Sequence, residues 1–337
     1  MAVAAREPAV SAGLGRRSIV ILVASLAGLA VLLRVLDPER FAWVQAALIV
    51  FGSLIVQATP FVLIGALASA TIEVFVPPSA LERLANLPRP LQLPAAGLAG
   101  IAFPLCECGS VPVARRLIRK GLLPSAAITF MLAAPVVNPV VIASTFVAYR
   151  GRASMWTMVL GRFGLGLAVA IAVGWVLGGR RAEDLLRPDP EAGSAEPIAM
   201  GRPEPRSRLF FVHLGNDFVF MGRFLLLGAG VAALVQTFLP QSAVARVAAI
   251  PVVDMIVMMG LAAVLSLCSE SDAFIAASFV QFGAAAQLAF LVFGPMVDLK
   301  LGALYAGTFR RRTATAIVVT AFIVTLAGTM WIRVVSG

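Results

Sequence analysis

Two stretches decide how this chain is read: Phe103-Pro104-Leu105-Cys106-Glu107-Cys108-Gly109-Ser110-Val111-Pro112 and Leu267-Cys268-Ser269-Glu270-Ser271-Asp272-Ala273-Phe274. Each is a polar knot inside a long apolar segment. Together they hold all three cysteines of the protein, each within two residues of a carboxylate. Charges and thiols embedded in membrane-type sequence are costly to bury, which marks both knots as functional-site candidates.

The surrounding chain justifies the phrase membrane-type. Of 337 residues, 60% are hydrophobic and 13% charged, too little polar surface to keep a domain of this size dissolved. Apolar stretches of about 18 residues or more recur along its length, as membrane-spanning helices require. The sequence therefore predicts an all-α polytopic protein whose first partner is the lipid bilayer, placed in the inner or plasma membrane. A net charge of +10 does not point to nucleic acid, because the arginines cluster in short segments between apolar stretches, as the positive-inside bias places them. Three cysteines, none in a polar loop, exclude a disulfide scaffold.

A self-comparison gives the organisation. Residues 61–84 match residues 224–247 without a gap at 10 of 24 positions, including Gly65 with Gly228 and Pro77 with Pro240. With small shifts the register continues: Cys106 meets Cys268, Gly121 meets Gly283, Pro135 meets Pro295, and Asn138 meets Asp298. The expected domains are a cytoplasmic tail over 1–17, an extra N-terminal transmembrane helix over 18–40, repeat 1 over 41–178, a flexible cytoplasmic loop over 179–208, and repeat 2 over 209–337. The loop is rich in Pro, Gly, Arg and Glu and has no packed core. A cleaved signal peptide using the small residues Ala24 to Ala30 fits the first run less well than a retained helix, since the run stays apolar past them.

Charge counting orients the repeats. If both knots cross the membrane fully, 11 Lys/Arg lie inside and 13 outside; if both are re-entrant, 18 lie inside and 6 outside, with three more inside apolar stretches. Only the second arrangement obeys the positive-inside rule. Each half then has three spans and one re-entrant or broken segment, an odd span number, so the two repeats are inverted. The run from Phe41 to Val76 is read as one span with a kinked lead-in near Thr59-Pro60. Inverted repeats with broken helices at their interface are a recurrent transporter plan.

The candidate substrate-binding residues are Cys106, Glu107, Cys108, Gly109, Asn138, Cys268, Glu270, Asp272 and Asp298. Thiolates suit soft species such as Cu(I), Zn(II) or trivalent arsenic, while carboxylates suit protons and hard cations. Against this stands the ordinary use of free cysteine as a small packing residue. Glu107, Glu270 and Asp272 are candidates for proton coupling, since desolvation favours the neutral carboxyl. Their competing role is helix capping, for which Ser269 and Asp272 are placed ahead of the following half-helix. Pro104, Pro112, Pro135, Pro139 and Pro295 mark structural breaks where the backbone loses donors. Arg162 lies deep in an apolar run, ready to pair with one of these acids or to snorkel. Lys300 lies two residues from Asp298 and is positioned to neutralise it. His213 and Asp254 read as interfacial. No phosphate-cradling glycine loop, no Ser/His/Asp set and no standard structural zinc set is present, so no cofactor is expected and no metal is assigned.

Residues 103–145, with the Leu-Cys-Ser-Glu-Ser-Asp-Ala-Phe knot and Gly294-Pro-Met-Val-Asp-Leu-Lys, resemble the predicted permease family of the ArsP type, which contains exporters of organoarsenical compounds. The resemblance covers nearly all of the chain from about 41 to 334. It implies a membrane permease, and makes Cys106 and Cys108 candidates for holding a thiophilic substrate. The expected function is secondary transport of a small solute by alternating access, with carboxylates coupling it to protons. The alternative is a non-transporting subunit or sensor of a metal-handling complex. A homo-oligomer or a membrane partner subunit fits either reading. A membrane enzyme with a Cys nucleophile and Glu base lacks the usual orienting residue.

Overall fold

Within a bilayer, backbone N–H and C=O groups must be bonded inside the chain, so apolar runs of this kind close into helices. The computed structural model describes residues 42–75, 88–103, 105–187, 206–238 and 252–336, and it is almost wholly helical. The expected tail over 1–17, the first helix over 18–40, Pro104 and residues 188–205 of the expected loop lie outside the described residues. The chain divides after Ile49 into two units. Of the first, residues 42–49 are described and form the opening turns of a helix. The second, from Val50 onward, carries both knots.

The first half contains α1 (Ala42–Phe75), α2 (Arg89–Leu98) with a short 3-10 turn after it, α3 (Glu107–Arg119), α4 (Pro124–Val137), α5 (Pro139–Ala148) and α6 (Met155–Leu177). A single turn, α7 (Ala182–Leu185), follows. The second half contains α8 (Arg206–Phe238), α9 (Val253–Leu265), α10 (Asp272–Ser278), α11 (Ala284–Phe293), α12 (Leu299–Thr308) and α13 (Arg311–Ser336). The two lists run in parallel: a long helix, a shorter one, a knot helix, a pair interrupted at a proline break, and a long closing helix. α1 runs through Pro60 without interruption, and α8 carries His213, Asn216 and Asp217 within one continuous helix.

Five stretches among the described residues are long and apolar enough to cross a membrane: Trp43–Phe75, Pro124–Ala148, Met155–Leu177, Arg206–Phe238 and Arg311–Val335. Every residue of α4 is buried, whereas only about a fifth of the apolar window in Arg311–Val335 is, so α4 is central and α13 peripheral. α4 packs against α2, α3 and α6, and α11 packs against α9, α13 and α6. α6 and α13 also pack against each other. Each knot helix also reaches the other half: α3 lies against both α4 and α12, and α10 against both α11 and α5.

The outer surface is apolar. Val56, Leu160, Leu227, Ile323 and Trp331 are all more than half exposed, an aggregation liability in water and an ordinary lipid-facing surface in a bilayer. Sequence and surface agree: this is a multi-pass membrane protein.

Candidate functional site

The first knot forms a helix start. Cys106 has extended backbone (φ −77°, ψ 172°) and Glu107 opens α3, its carboxylate in the first turn, where the helix dipole favours negative charge. The approach of α1 explains Gly109. Gly65 and Gly109 face each other so closely that a Cβ on either would meet the other's backbone. Only a glycine pair allows two helices to touch there.

The second knot is an open turn. Ser266 ends α9 in the left-handed conformation (φ 48°). Its Oγ accepts the Leu299 amide at 3.2 Å, tying the knot to the start of α12. Ser271 precedes α10, yet none of its side-chain atoms caps the helix. Its hydroxyl donates to Cys268 O and accepts from Gln57 Nε2 of α1 at 3.1 Å. Asp272 is likewise not the cap expected from sequence. Both of its oxygens are taken by Arg162, at 2.8 and 2.7 Å.

The two knots meet. Ser269 donates to Glu107 Oε2 at 3.1 Å, and Lys300 Nζ lies 3.4 Å from Glu107 Oε1. Lys300 also lies 3.8 Å from Asp298 Oδ2, so it bridges the first knot to the second break rather than serving Asp298 alone. Glu107, Lys300 and Asp298 are each under 5% exposed. Cys106, Cys108 and Cys268 are free, buried thiols. They line one crevice with Glu107, Lys300, Gln57, Leu54 and Ala58, too tight to admit a water molecule. The Cys268 thiol donates to Glu270 Oε2 at 2.7 Å. Among the described residues no group of three or more His, Cys, Asp or Glu is placed to hold a metal ion.

Beside this crevice stands a second ionic centre. The Arg162 guanidinium, fully buried, binds Asp272 through two parallel bonds and also reaches Thr145 Oγ1 at 3.0 Å and Ser269 O at 3.1 Å. A two-pronged arginine–carboxylate pair of this kind fixes geometry as well as charge. It joins α6, α5 and the second knot.

The proline breaks follow one plan. Asn138 is the N-cap of α5 and accepts the Val140 amide at 2.9 Å; Asp298 is the N-cap of α12 and accepts the Leu301 amide at 2.6 Å. Pro135 lies inside α4 and Pro139 begins α5; Pro112 lies inside α3. Pro295 sits in the turn between α11 and α12, where the Met296 carbonyl is bonded by Tyr305 Oη at 2.9 Å instead of facing an open cavity.

Several participants carried no sequence signal. Gln287 of α11 accepts from Tyr149 Oη and donates to Phe279 O and Phe282 O, holding the end of α10. Arg116, one of a basic cluster read as a topology signal, pairs with Asp217 at 3.0 Å and Glu73 at 3.5 Å and lies 3.3 Å from His213 Nδ1. Lys120 donates to Ile72 O and Glu73 O, at 2.6 Å each, near the end of α1. Asp254 pairs with the partly exposed Arg333 at 3.3 Å.

Buried ion pairs and thiols at broken helix ends, inside a lipid-exposed helical shell, define a polytopic protein of the permease class. The chain belongs to the predicted permease family of the ArsP type, which it matches over residues 44–334. It is 38% identical over 286 residues to the UPF0718 protein YcgR of Bacillus subtilis (strain 168), covering 84% of this chain and 96% of that protein. It is 34% identical over 263 residues to a protein of Streptococcus mutans serotype c (strain ATCC 700610 / UA159), named as a candidate two-component membrane permease complex subunit; 76% of this chain and 85% of that protein are covered. No solved structure matches the chain.

Proposed function

We propose that the protein is a secondary permease in which the crevice between the knots is the substrate site in its collapsed, cargo-free form, opening to take a small thiophilic solute such as an organoarsenical or a soft metal species. One observation carries this reading: three thiols from both halves, with Glu107 and Lys300, line a single crevice that excludes water. A collapsed site between the halves has to open for cargo to enter, as alternating access provides, and broken helices at the repeat interface are where such sites form. Cys106, Cys108 and Cys268 supply soft ligands. Gly109 lets the backbone approach, while Asn138 and Asp298 hold the helix starts that wall the site. Glu107 and Glu270 are the groups that exchange protons with the transport cycle. Asp272, locked by Arg162, couples through that ion pair.

The repeats are inverted in this reading, which rests on the Lys/Arg distribution; the reciprocal contacts of α3 with α12 and of α10 with α5 fit a two-fold relation of either kind. Single cysteines introduced at Arg119 and Gly283, in a cysteine-free background, test the arrangement with impermeant maleimides. Labelling from opposite sides is expected; labelling of both from one side overturns the inversion. Cargo is identified by growth of a deletion strain on trivalent arsenicals, Cu(I) and Zn(II), with and without the gene. Unchanged sensitivity to all of them removes the thiophilic assignment.

The Streptococcus mutans relative's name favours a second reading at the level of assembly, in which this chain is one component of a two-component permease. Co-purification of a second membrane protein with the tagged chain from its own host is the expected result. Full flux from the single purified chain overturns it.

A further inference from the structure

Away from the knots, where α6 ends and α13 begins, a basic cavity is assembled from separate chain segments. The strand-like step after α7 docks on the α12–α13 turn through an antiparallel bridge, Leu186 to Phe309. The Arg187 amide bonds Thr308 O at 3.0 Å, and the Arg310 amide bonds Leu185 O at 2.9 Å. This docking gathers Arg180, Arg187, Arg310, Arg311 and Arg312 around a cavity of about 620 Å³, with Asp184 as the one carboxylate of its lining among the described residues. Among the described residues none of these five arginines is in a salt bridge. Arg310 Nε donates only to Leu186 O, at 3.3 Å.

Five guanidinium groups around one cavity repel one another unless an anion sits among them. Two further features aim at such an anion. Thr313 lines the same cavity, is 1% exposed, and its Oγ1 has no hydrogen-bond partner. It also lies in the first turn of α13, a 26-residue helix whose N-terminal amides carry partial positive charge. Beyond Arg311 and Arg312 a second cavity continues along α13 past Thr315, Ala316 and Val319. That groove lies on the lipid-exposed side of the helix, where Val319 and Ile323 face outward.

We propose that this cavity binds the phosphate of an anionic phospholipid headgroup, with an acyl chain lying in the groove along α13. Guanidinium forks match phosphate oxygens in pairs, and basic clusters at the ends of membrane helices attract anionic lipid. A free phosphate shares the headgroup's chemistry but leaves the groove empty. The site is independent of the transport crevice and of its cargo.

The test is native mass spectrometry of the full chain in neutral detergent, titrated separately with phosphatidylglycerol, phosphatidylcholine and inorganic phosphate. Retained phosphatidylglycerol adducts and weak phosphatidylcholine adducts are expected. The Arg187→Ala/Arg311→Ala/Arg312→Ala variant should weaken phosphatidylglycerol binding by about tenfold or more, and Thr313→Val by less. All three arginines are exposed, so helicity should be unchanged, and Arg152→Ala, an exposed cation elsewhere, should bind as the wild type does. Equal retention of the two lipids, or wild-type phosphatidylglycerol binding by the triple variant, overturns the proposal. Displacement of the lipid by equimolar inorganic phosphate overturns the lipid assignment in favour of a soluble phosphate.

Discussion

Replacing Arg162 with Met removes a guanidinium that is fully buried and makes four contacts, two to Asp272, one to Thr145 and one to Ser269 O. Asp272 is itself 2% exposed, so the variant strands a carboxylate with no cation at its side. Breaking a buried pair by deleting one partner costs about 3–5 kcal/mol, whereas replacing both partners with apolar groups costs far less. Arg162→Met should therefore lose about 3–5 kcal/mol, and Arg162→Met/Asp272→Leu should recover most of it. The Asp254–Arg333 pair sets the scale, because Arg333 is 42% exposed on its side-chain surface. Arg333→Gln leaves the buried Asp254 beside an amide that can still donate a hydrogen bond, so it should cost less than Arg162→Met. Reversible unfolding in mixed micelles, arranged as a double-mutant cycle, measures all of these. An Arg162→Met protein no less stable than Arg333→Gln would refute the reasoning, as would a double variant worse than either single one.

Three other outcomes follow from the packing. Gly65→Ala drives a methyl into the Gly109 backbone, and Gly228→Ala places one 2.7 Å from Lys300 Cα; each should cost about 1–3 kcal/mol, while Gly52→Ala, with open space around it, should be neutral in the same unfolding assay. Asn138→Ala removes one cap and should cost about 1 kcal/mol; Asp298→Ala should cost more, since Lys300 then keeps only Glu107 beside it, and equal losses would contradict the bridging role. The three buried thiols should react with N-ethylmaleimide far more slowly in the folded protein than in dodecyl sulfate, read by mass; equal rates would mean that the crevice is open.

Much of this was legible in the sequence, for physical reasons. Membrane class follows from composition, but proline alone did not locate the helix breaks: Pro139 and Pro295 stand at helix boundaries, whereas Pro112 and Pro135 were expected as breaks and lie inside helices. The match of Asn138 with Asp298 anticipated a shared role because capping depends on only a few neighbouring residues. Arg162 was expected to find an acid or to snorkel, and burial left only the first. What escaped depends on packing between distant helices. Lys300 was paired with Asp298 by proximity along the chain and does lie 3.8 Å from it, but its second partner, Glu107, is nearly two hundred positions away and left no local sign. Arg116 and Lys120 entered only the count of basic residues that oriented the repeats, yet they are engaged by Asp217, Glu73 and the carbonyls near the end of α1. The Arg116 contacts with Asp217 and His213 depend on the polar face of α8, whose orientation no local pattern announces. Gln57 and Gln287 look like incidental polar residues until the helices that they join are seen together.

The central claim is that the crevice shared by the knots is where cargo passes. Its most direct measurement is flux of a trivalent organoarsenical into proteoliposomes carrying equal amounts of inserted wild-type protein or the Cys106→Ser/Cys108→Ser variant. Rapid flux with the wild type and background flux with the variant is the predicted result. Equal flux through both proteins would contradict the account.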